Sequence, residues 1–390
     1  MRGICKKAAW ILAMCQALGC CVSAVKMPLW ETATEEKPVL TLWASGSEED
    51  YGAVVRAMQE QHGICVEFVP FTEEGEREML QALAAGRPTY DLVQIEFSFG
   101  YPYSAEDLVK NGAFQPLEAQ IVRKAVGSMW PALQELAMRD GEVCLLPVSA
   151  RPYVLHTWDE LIVADWDELV QREGFLKRDE LLWACLLEQY MLDYGQEGFC
   201  FDCDAFLRTL ELAKRAYRTE REYGQGVDIP YVELGCAAQI ERVSLTAYQT
   251  RSARLGWLPS MDGKWRIPMK VSALAIPVGA PHAEEAQTFL AELAAVGLYG
   301  DPESMAQGRP YGGYDTQSCY DEPAHIACTV GSDERDIERW RQIMKNARVT
   351  PRTDLLTACW LEDIQPYFAG EITAQQCAGR MQQKLEQQGR

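Results

Sequence analysis

A chain of 390 residues is longer than one hydrophobic core usually organises, so two domains or lobes are expected. The composition, 48% hydrophobic and 24% charged, is ordinary for a soluble globular protein. The net charge of −20 argues against nucleic acid as a partner, because neutralising phosphates requires a basic surface.

The amino terminus has the pattern of an export signal, which we assign to residues 1–24. Arg2, Lys6 and Lys7 precede an apolar run over residues 8–18, and small residues follow. This run is shorter than the roughly 20 apolar residues that cross a bilayer, and no later segment is long and apolar enough to do so. We therefore expect the body of the protein to be exported and soluble.

Two processing sites are compatible with this signal. Residues 17–20, Ala-Leu-Gly-Cys, resemble a lipoprotein site in which Cys20 carries the lipid, although Ala17 stands where an aliphatic residue is usual. Residues 22–24, Val-Ser-Ala, have the pattern of an ordinary cleavage site. The first alternative, which we favour, predicts anchoring at the cell surface. The polar residues 25–37 are predicted to be a tether in either case.

The chain has fourteen cysteines, of which ten lie from Cys65 onwards. Export permits disulfides, but positions such as Cys359 and Cys377 replace small apolar residues in predicted helices, where buried thiols behave as small hydrophobes. Cys200 and Cys203 form a single C-x₂-C pair, and histidine occurs only four times. A zinc site needs about four ligands at characteristic spacing, so no metal is predicted.

The folded body is predicted to begin with alternating strands and helices. Strands are expected over residues 39–43, 65–69 and 91–95, separated by helices around 51–58 and 73–85. This order, with short connections, is typical of a mostly parallel sheet flanked by helices. Ligands of such sheets bind beyond the carboxyl ends of the strands, here the loops over 44–47 and 96–103.

The second half of the chain is predicted to contain a strand over residues 271–277 and a helix that begins near Pro281. Thr373 and Gln376 have the spacing of a capping box at a helix start. Three helices are predicted to close the chain, near 334–346, 352–367 and 373–388.

Seven segments, each of low specificity alone, stand in a particular order along the chain. They read LTLWASGSEED, EMLQALAAGRPTYDLVQIE, LVKNGAFQPLEAQI, DGEVCLLPVSARPYVLHTWDEL, GWLPSMDGKW, ALAIPVGAPHAEEAQTFLAEL and YFAGEITAQQCAGRMQQKLEQ. In this order and spacing, from about residue 38 to 388, the chain resembles the extracellular solute-binding proteins of the maltose-binding type, family 1, which serve ABC importers.

The resemblance implies an α/β, two-lobed fold of the type II periplasmic-binding-protein kind. Each lobe would be a mostly parallel sheet flanked by helices, with the ligand cleft between the lobes. Closure about a hinge is a known motion of such proteins. The implied crossings between lobes lie near 147–152, 268–275 and 315–330. The implied lobes are 38–147 plus 275–320, and 152–268 plus 330–390.

The resemblance also implies a function without chemistry: capture of a small solute and its delivery to a permease in the membrane. We expect a monomer with no cofactor and no catalytic residue. Two alternatives stay open, an exported glycan-active hydrolase that uses two carboxylates and a ligand-sensing accessory subunit. The many aromatic residues favour a carbohydrate ligand, with amino acids, peptides, polyamines and anions as alternatives.

Sugar sites combine flat aromatic side chains with a few polar groups, and the candidates are chosen on that basis. Trp43, at the end of the first strand, is a candidate for ligand contact or for core packing in equal measure. Arg151, at the first crossing, is a candidate for gripping a hydroxyl or carboxylate or for a hinge salt bridge. Trp257 is a candidate for stacking on the ligand or for packing in its lobe. The remaining candidates are Ser45, Glu96, Phe97, Tyr101, Tyr231, Tyr311 and Tyr314.

Overall fold

The computed structural model describes the parts of the chain that build the sheet and most of the helices around it. Contacts separate residues 1–37 from a unit that runs from Pro38 to Arg390, and everything described below belongs to the second unit. The described residues are 38–44, 51–97, 105–157, 166–167, 186–192, 200–216, 238–242, 254–256, 258–259, 266–296, 316–321, 326, 330, 333–349 and 359–388.

The first third forms the predicted parallel sheet. Strand β1 (Val39–Ala44) pairs in parallel with β2 (Cys65–Pro70) on one side and with β3 (Leu92–Phe97) on the other. Between them lie α1 (Gly52–Ala57), which continues through a π-helical turn, and α2 (Glu73–Ala84). All three strands match the sequence prediction to within three residues.

Helix α2 begins where its sequence supplies a cap. Thr72 has extended backbone angles, and its hydroxyl accepts a hydrogen bond from the Gly75 amide at 3.0 Å. A side-chain oxygen in this position satisfies one of the amides that the first helical turn leaves without a partner.

Short helices and a small hairpin connect β3 to the central strands. They are α3 (Ala105–Lys110), α4 (Ala119–Lys124), α5 (Pro131–Ala137), β4 (Met138–Arg139) and β5 (Glu142–Val143). The hairpin turns at Asp140 and Gly141, both with positive φ, which is the conformation that a two-residue turn between paired strands demands.

Two long strands run through the centre of the sheet. Strand β9 (Ile267–Ala275) lies between β3 and β6 (Leu145–Thr157) and is antiparallel to both. Strand β6 pairs with β9 as far as Pro152, and from Tyr153 onwards it pairs with β7 (Ala238–Arg242) and β8 (Arg254–Gly256). One strand therefore joins two groups of partners, at the place predicted for the first crossing.

The second half of the chain contributes further helices and a last short strand. They are α6 (Asp204–Ala216), α7 (Ala283–Val296), α8 (Glu334–Asn346), α9 (Gln365–Ala369) and α10 (Ala374–Gln388), with β10 (Ala347–Val349) parallel to β9. The predicted capping box is present, since the Gln376 amide donates to Thr373 Oγ1 at 3.2 Å and the Thr373 amide donates to Gln376 Oε1 at 2.8 Å. Of the helix predicted near 352–367, residues 352–358 lie outside the described residues, and the rest is helical, as a π-helical turn (Trp360–Ile364) followed by α9.

Buried Asp91 ties the start of β3 to β1 and to α7. Its carboxylate accepts from the amide and the hydroxyl of Thr41, both at 2.8 Å, and from the His282 amide at 2.9 Å, just before α7 begins. A carboxylate at a helix start is stabilised by the free amides there. The candidate site lies at the other, carboxyl end of β3.

Candidate functional site

The centre of the sheet carries a polar face where β3, β9 and β6 run side by side. Paired residues of an antiparallel ladder point to the same side of the sheet, and every second residue returns to it. The register sets Glu96 opposite Ser272 and Ser272 opposite Ser149, while Lys270 lies opposite Arg151. We define these five residues together with Gln94 as the polar face.

A β-bulge in β6 brings two of these residues to the polar face. Pro147 pairs with Ala273, but the next paired residue is Ser149, so Val148 is the extra one. Without this insertion the alternation would turn the side chains of Ser149 and Arg151 to the other side. The bulge therefore aligns the polar positions of β6 with those of β9.

Glu96 is the centre of the polar face. Its side chain is 3% exposed, and it accepts hydrogen bonds from Ser272 Oγ at 2.9 Å and from the Gln94 side-chain amide. Lys270 Nζ lies 3.1 Å from the same carboxylate. A buried charge is tolerated when it is both paired and hydrogen-bonded, and these three partners meet that condition.

Arg151 is half-buried beside this group and at the point where β6 changes partners. Its Nε donates to Ser149 Oγ at 3.0 Å. Ser318 contacts the backbone at this point, because its hydroxyl accepts a hydrogen bond from the Ala150 amide at 3.0 Å. The Ser318 carbonyl in turn accepts a hydrogen bond from Trp130 Nε1 at 3.0 Å. The short 3₁₀ helix that carries Ser318 (Thr316–Cys319) lies at the start of the third predicted crossing.

Polar contacts continue along β6 to the helical residues 186–192. The Tyr153 hydroxyl donates to Glu188 at 3.2 Å, and Trp166 Nε1 donates to Gln189 Oε1 at 2.7 Å. The Gln189 amide in turn donates to the carbonyls of Pro259 at 2.8 Å and Arg266 at 3.2 Å. The buried polar groups next to this part of β6 therefore orient one another through hydrogen bonds.

The structure brings two of the sequence candidates, Glu96 and Arg151, to the polar face. Phe97 is 2% exposed and, one residue further along β3, points to the opposite side of the sheet. Trp43 is 1% exposed, with its ring centroid 4.0 Å from that of Phe71 and 6.4 Å from that of Tyr90, so it packs in the core. The other candidates, and Cys20, lie outside the described residues: Ser45, Tyr101, Tyr231, Trp257, Tyr311 and Tyr314.

Sequence reasoning missed Gln94, Ser149, Lys270 and Ser272. A signal was present, because polar residues recur at every second position within otherwise apolar strands, as in LVQIEF and IPMKVSALA. That period marks one polar side of a strand. The bulge in β6 and the order of the strands decide whether these sides coincide, and neither can be read from a single strand.

The polar face offers both hydrogen-bond donors and acceptors: an ammonium, a guanidinium, two hydroxyls, an amide and a carboxylate. Such a set suits a ligand rich in hydroxyl groups, which donate and accept at once. Within the described ranges, no group of three or more His, Cys, Asp or Glu side chains is placed to hold a metal ion.

No family model and no curated protein sequence matches this chain. Solved structures do match over nearly the whole length. An ABC transporter solute-binding protein from Thermotoga lettingae, bound with α-D-tagatose, has 16% identity and a TM-score of 0.64, covering 90% of this chain and 99% of its own. One from Agrobacterium vitis, with bound D-mannitol, has 15% identity and a TM-score of 0.63, covering 90% and 98%.

A third match is the maltose-maltodextrin binding protein of Alicyclobacillus acidocaldarius, with 13% identity and a TM-score of 0.61, covering 89% of this chain and 100% of its own. Together these neighbours define the fold class: the chain has the α/β, two-lobed fold of type II periplasmic binding proteins, as predicted. In the part of the chain that the structure describes, no helix combines the length and apolar character needed to cross a membrane.

Proposed function

We propose that this protein is an extracytoplasmic solute-binding receptor that delivers a sugar or oligosaccharide to an ABC-type permease. The observation that carries the proposal is the match of about nine-tenths of the chain to receptors of that kind that were solved with tagatose or mannitol bound. The match establishes a shared fold, and from that fold we infer the ligand and the partner.

The position of the polar face supports a binding role. It lies at the carboxyl end of β3, the end at which open α/β sheets take up ligands, and beside the point where β6 changes partners. Closing two lobes about such strands would bring groups from both sides to one ligand. The proposed lobes remain 38–147 plus 275–320, and 152–268 plus 330–390.

A carbohydrate ligand follows from the chemistry of the polar face. Arg151 and Lys270, its more exposed members, provide cationic donors for hydroxyl groups, and the buried Glu96, Ser149 and Ser272 hold these two side chains in place. The candidates Trp257, Tyr231, Tyr311 and Tyr314 would supply the flat surfaces for sugar rings.

Thermal unfolding of the processed chain against a panel of monosaccharides, oligosaccharides, polyols, amino acids and polyamines tests the ligand class. A ligand at 100 times its Kd stabilises the bound fold by about 2.7 kcal/mol, which raises Tm by several degrees. We expect a shift with sugars or polyols and no conversion of the ligand. Conversion of an oligosaccharide would favour the hydrolase instead, and a shift with amino acids alone would contradict the ligand class.

The Arg151→Ala variant tests whether the polar face binds that ligand. Loss of a charged donor to a bound hydroxyl is expected to weaken affinity about tenfold or more, measured by titration calorimetry. The matched control is Arg335→Ala, because that arginine is exposed and its side chain pairs with Asp333, two residues away at the start of α8. Equal affinities in the two variants would place the ligand elsewhere.

Export and anchoring are part of the same proposal. We expect the processed chain to begin at Cys20 with a lipid on its sulfur, which the mass of the amino-terminal peptide reveals. Replacing Cys20 with Ser would then release the protein from the cell surface. A mature chain that begins at Val25 without a lipid would contradict the anchor and leave the receptor unaffected.

A further inference from the structure

The C-x₂-C segment, Cys200 to Cys203, forms a bend directly before α6. Between the two cysteines, Phe201 is fully buried, with ring centroids 6.4 Å from Tyr190 and 4.7 Å from Phe206. The amide of Phe201 donates to Gln382 Oε1 of α10 at 2.8 Å. The bend is therefore anchored by its own buried residue, and the cysteines on either side are held above the core.

The two sulfur-bearing residues lie next to each other on this bend. Cys203 Sγ lies 3.0 Å from the carbonyl oxygen of Cys200, and the Cys203 carbonyl accepts from the Leu207 amide at 3.0 Å, as a residue at a helix start does. The Tyr190 hydroxyl contacts both, since it donates to the Cys200 carbonyl and lies 3.1 Å from Cys203 Sγ.

The two cysteines differ in exposure. The pKa of Cys200 is raised, first by partial desolvation and then by a hydrogen bond with Cys203, so its thiolate becomes more abundant as the pH rises. Cys200 is exposed and Cys203 is half-buried, so an oxidant reaches the first and the second is already in place to follow. The 3.0 Å contact between Cys203 Sγ and the Cys200 carbonyl oxygen keeps the second sulfur next to the residue that reacts first.

We propose that Cys200 and Cys203 form an accessible redox pair that closes into a disulfide by exchange with a disulfide-bearing oxidant. The Cys200 thiolate attacks one sulfur of the oxidant, forms a mixed disulfide and releases one thiolate. The Cys203 thiolate then attacks the Cys200 sulfur and releases the second. The two cysteines lose two electrons and two protons, and the oxidant is reduced to two thiols.

Other cysteines of the described chain serve as internal controls. Cys144, Cys319, Cys359 and Cys377 are at most 3% exposed, and burial raises the pKa of Cys359 and of Cys377 to about 12. The reactive species is the exposed thiolate, so these four are expected to stay unmodified while the protein is folded. The inference does not depend on the solute that the receptor binds.

Glutathione redox buffers test the pair in the processed, fully reduced chain. After acid quenching and alkylation, peptide mass analysis is expected to show the segment with Cys200 and Cys203 two hydrogens lighter and alkylated at neither. The Cys203→Ser variant, which retains the attacking thiol and lacks the resolving one, is expected to accumulate a glutathione adduct on Cys200. Adding a reductant should restore alkylation of both cysteines in the wild type.

Three results would overturn the proposal. The first is full alkylation of both residues in oxidised glutathione, and the second is a stable adduct on Cys200 of the wild type, which would mean that Cys203 does not resolve it. The third is a fragment spectrum that links either residue to a different cysteine. The Cys200→Ser variant distinguishes these cases, because Cys203 alone is less exposed and should gain the adduct more slowly.

Discussion

The outer strands of the sheet and its centre are built from different kinds of residue. In β1 and at the start of β3, Leu40, Leu42, Leu92 and Val93 are at most 1% exposed and belong to the hydrophobic core. In the centre, β3, β9 and β6 bury the polar face around Glu96 instead. Burial of apolar surface in the outer strands stabilises the fold, whereas burial of the charges in the polar face costs free energy because those charges lose their hydration.

The outer strands therefore account for the stability of the fold, whereas the polar face needs another explanation. Apolar residues of similar volume in place of a buried ion pair often stabilise a fold, so the polar face is not explained by stability. Its position at the carboxyl end of β3 and at the partner change of β6 is explained if it holds a ligand. The comparison predicts that substitutions in the outer region reduce stability alone, and those in the centre affect both stability and binding.

The largest effect is expected from Trp43→Ala in the outer region. Removing a fully buried indole from its contacts with Phe71 and Tyr90 leaves a cavity and is expected to cost about 4 kcal/mol of unfolding free energy. Denaturant unfolding measures that loss, and a titration in low denaturant measures the affinity of the folded fraction. Unchanged affinity would assign Trp43 to packing, and reduced affinity with little loss of stability would restore it as a ligand contact.

Glu96→Gln is expected to cost about 3 kcal/mol, because Lys270 and Ser272 would lose their buried charged partner. The amide retains the shape of the carboxylate, so a fall in unfolding free energy reports on charge rather than volume. Ser272→Ala is the matched control, since it removes one hydrogen bond to the carboxylate but leaves its charge and its pairing with Lys270, and it is expected to cost about 1.5 kcal/mol. Equal losses in the two variants would show that the Glu96 charge is not stabilised by its pairing.

A smaller effect is expected from Ser318→Ala, beside the point where β6 changes partners. The substitution removes the hydroxyl that accepts from the Ala150 amide and leaves that buried donor unsatisfied, at a cost of about 1–2 kcal/mol. Hydrogen exchange of the Ala150 amide locates the change. An unaltered exchange rate would mean that the 3₁₀ helix does not hold β6 in place.

The outer strands could be predicted from the sequence because each is a short run of neighbouring apolar residues. The cap of α10 could be predicted for a similar reason, since it depends on the spacing of Thr373 and Gln376 alone. The polar face could not, although Glu96 and Arg151 were candidates. Its assembly depends on β9 lying between two strands distant in sequence and on the bulge at Val148, which are properties of pairing rather than of any one segment.

The smallest effect is expected from Asp167→Asn, which tests whether ion pairs away from the polar face contribute as little as the comparison implies. Hydrogen bonds from Arg215 and then from Arg208 lower the pKa of Asp167, but its side chain is 32% exposed and water screens the pair. The lowered pKa means that Asp167 stabilises the fold at pH values above about 3.9, the unfolded value, and that this contribution is lost as pH falls through the folded pKa. We therefore expect the variant to lose about 0.5 kcal/mol at neutral pH and the difference from wild type to shrink below about pH 4. Urea unfolding of both proteins across this range measures it. A loss at neutral pH as large as that of Glu96→Gln would remove the distinction between buried and surface charges on which the comparison rests.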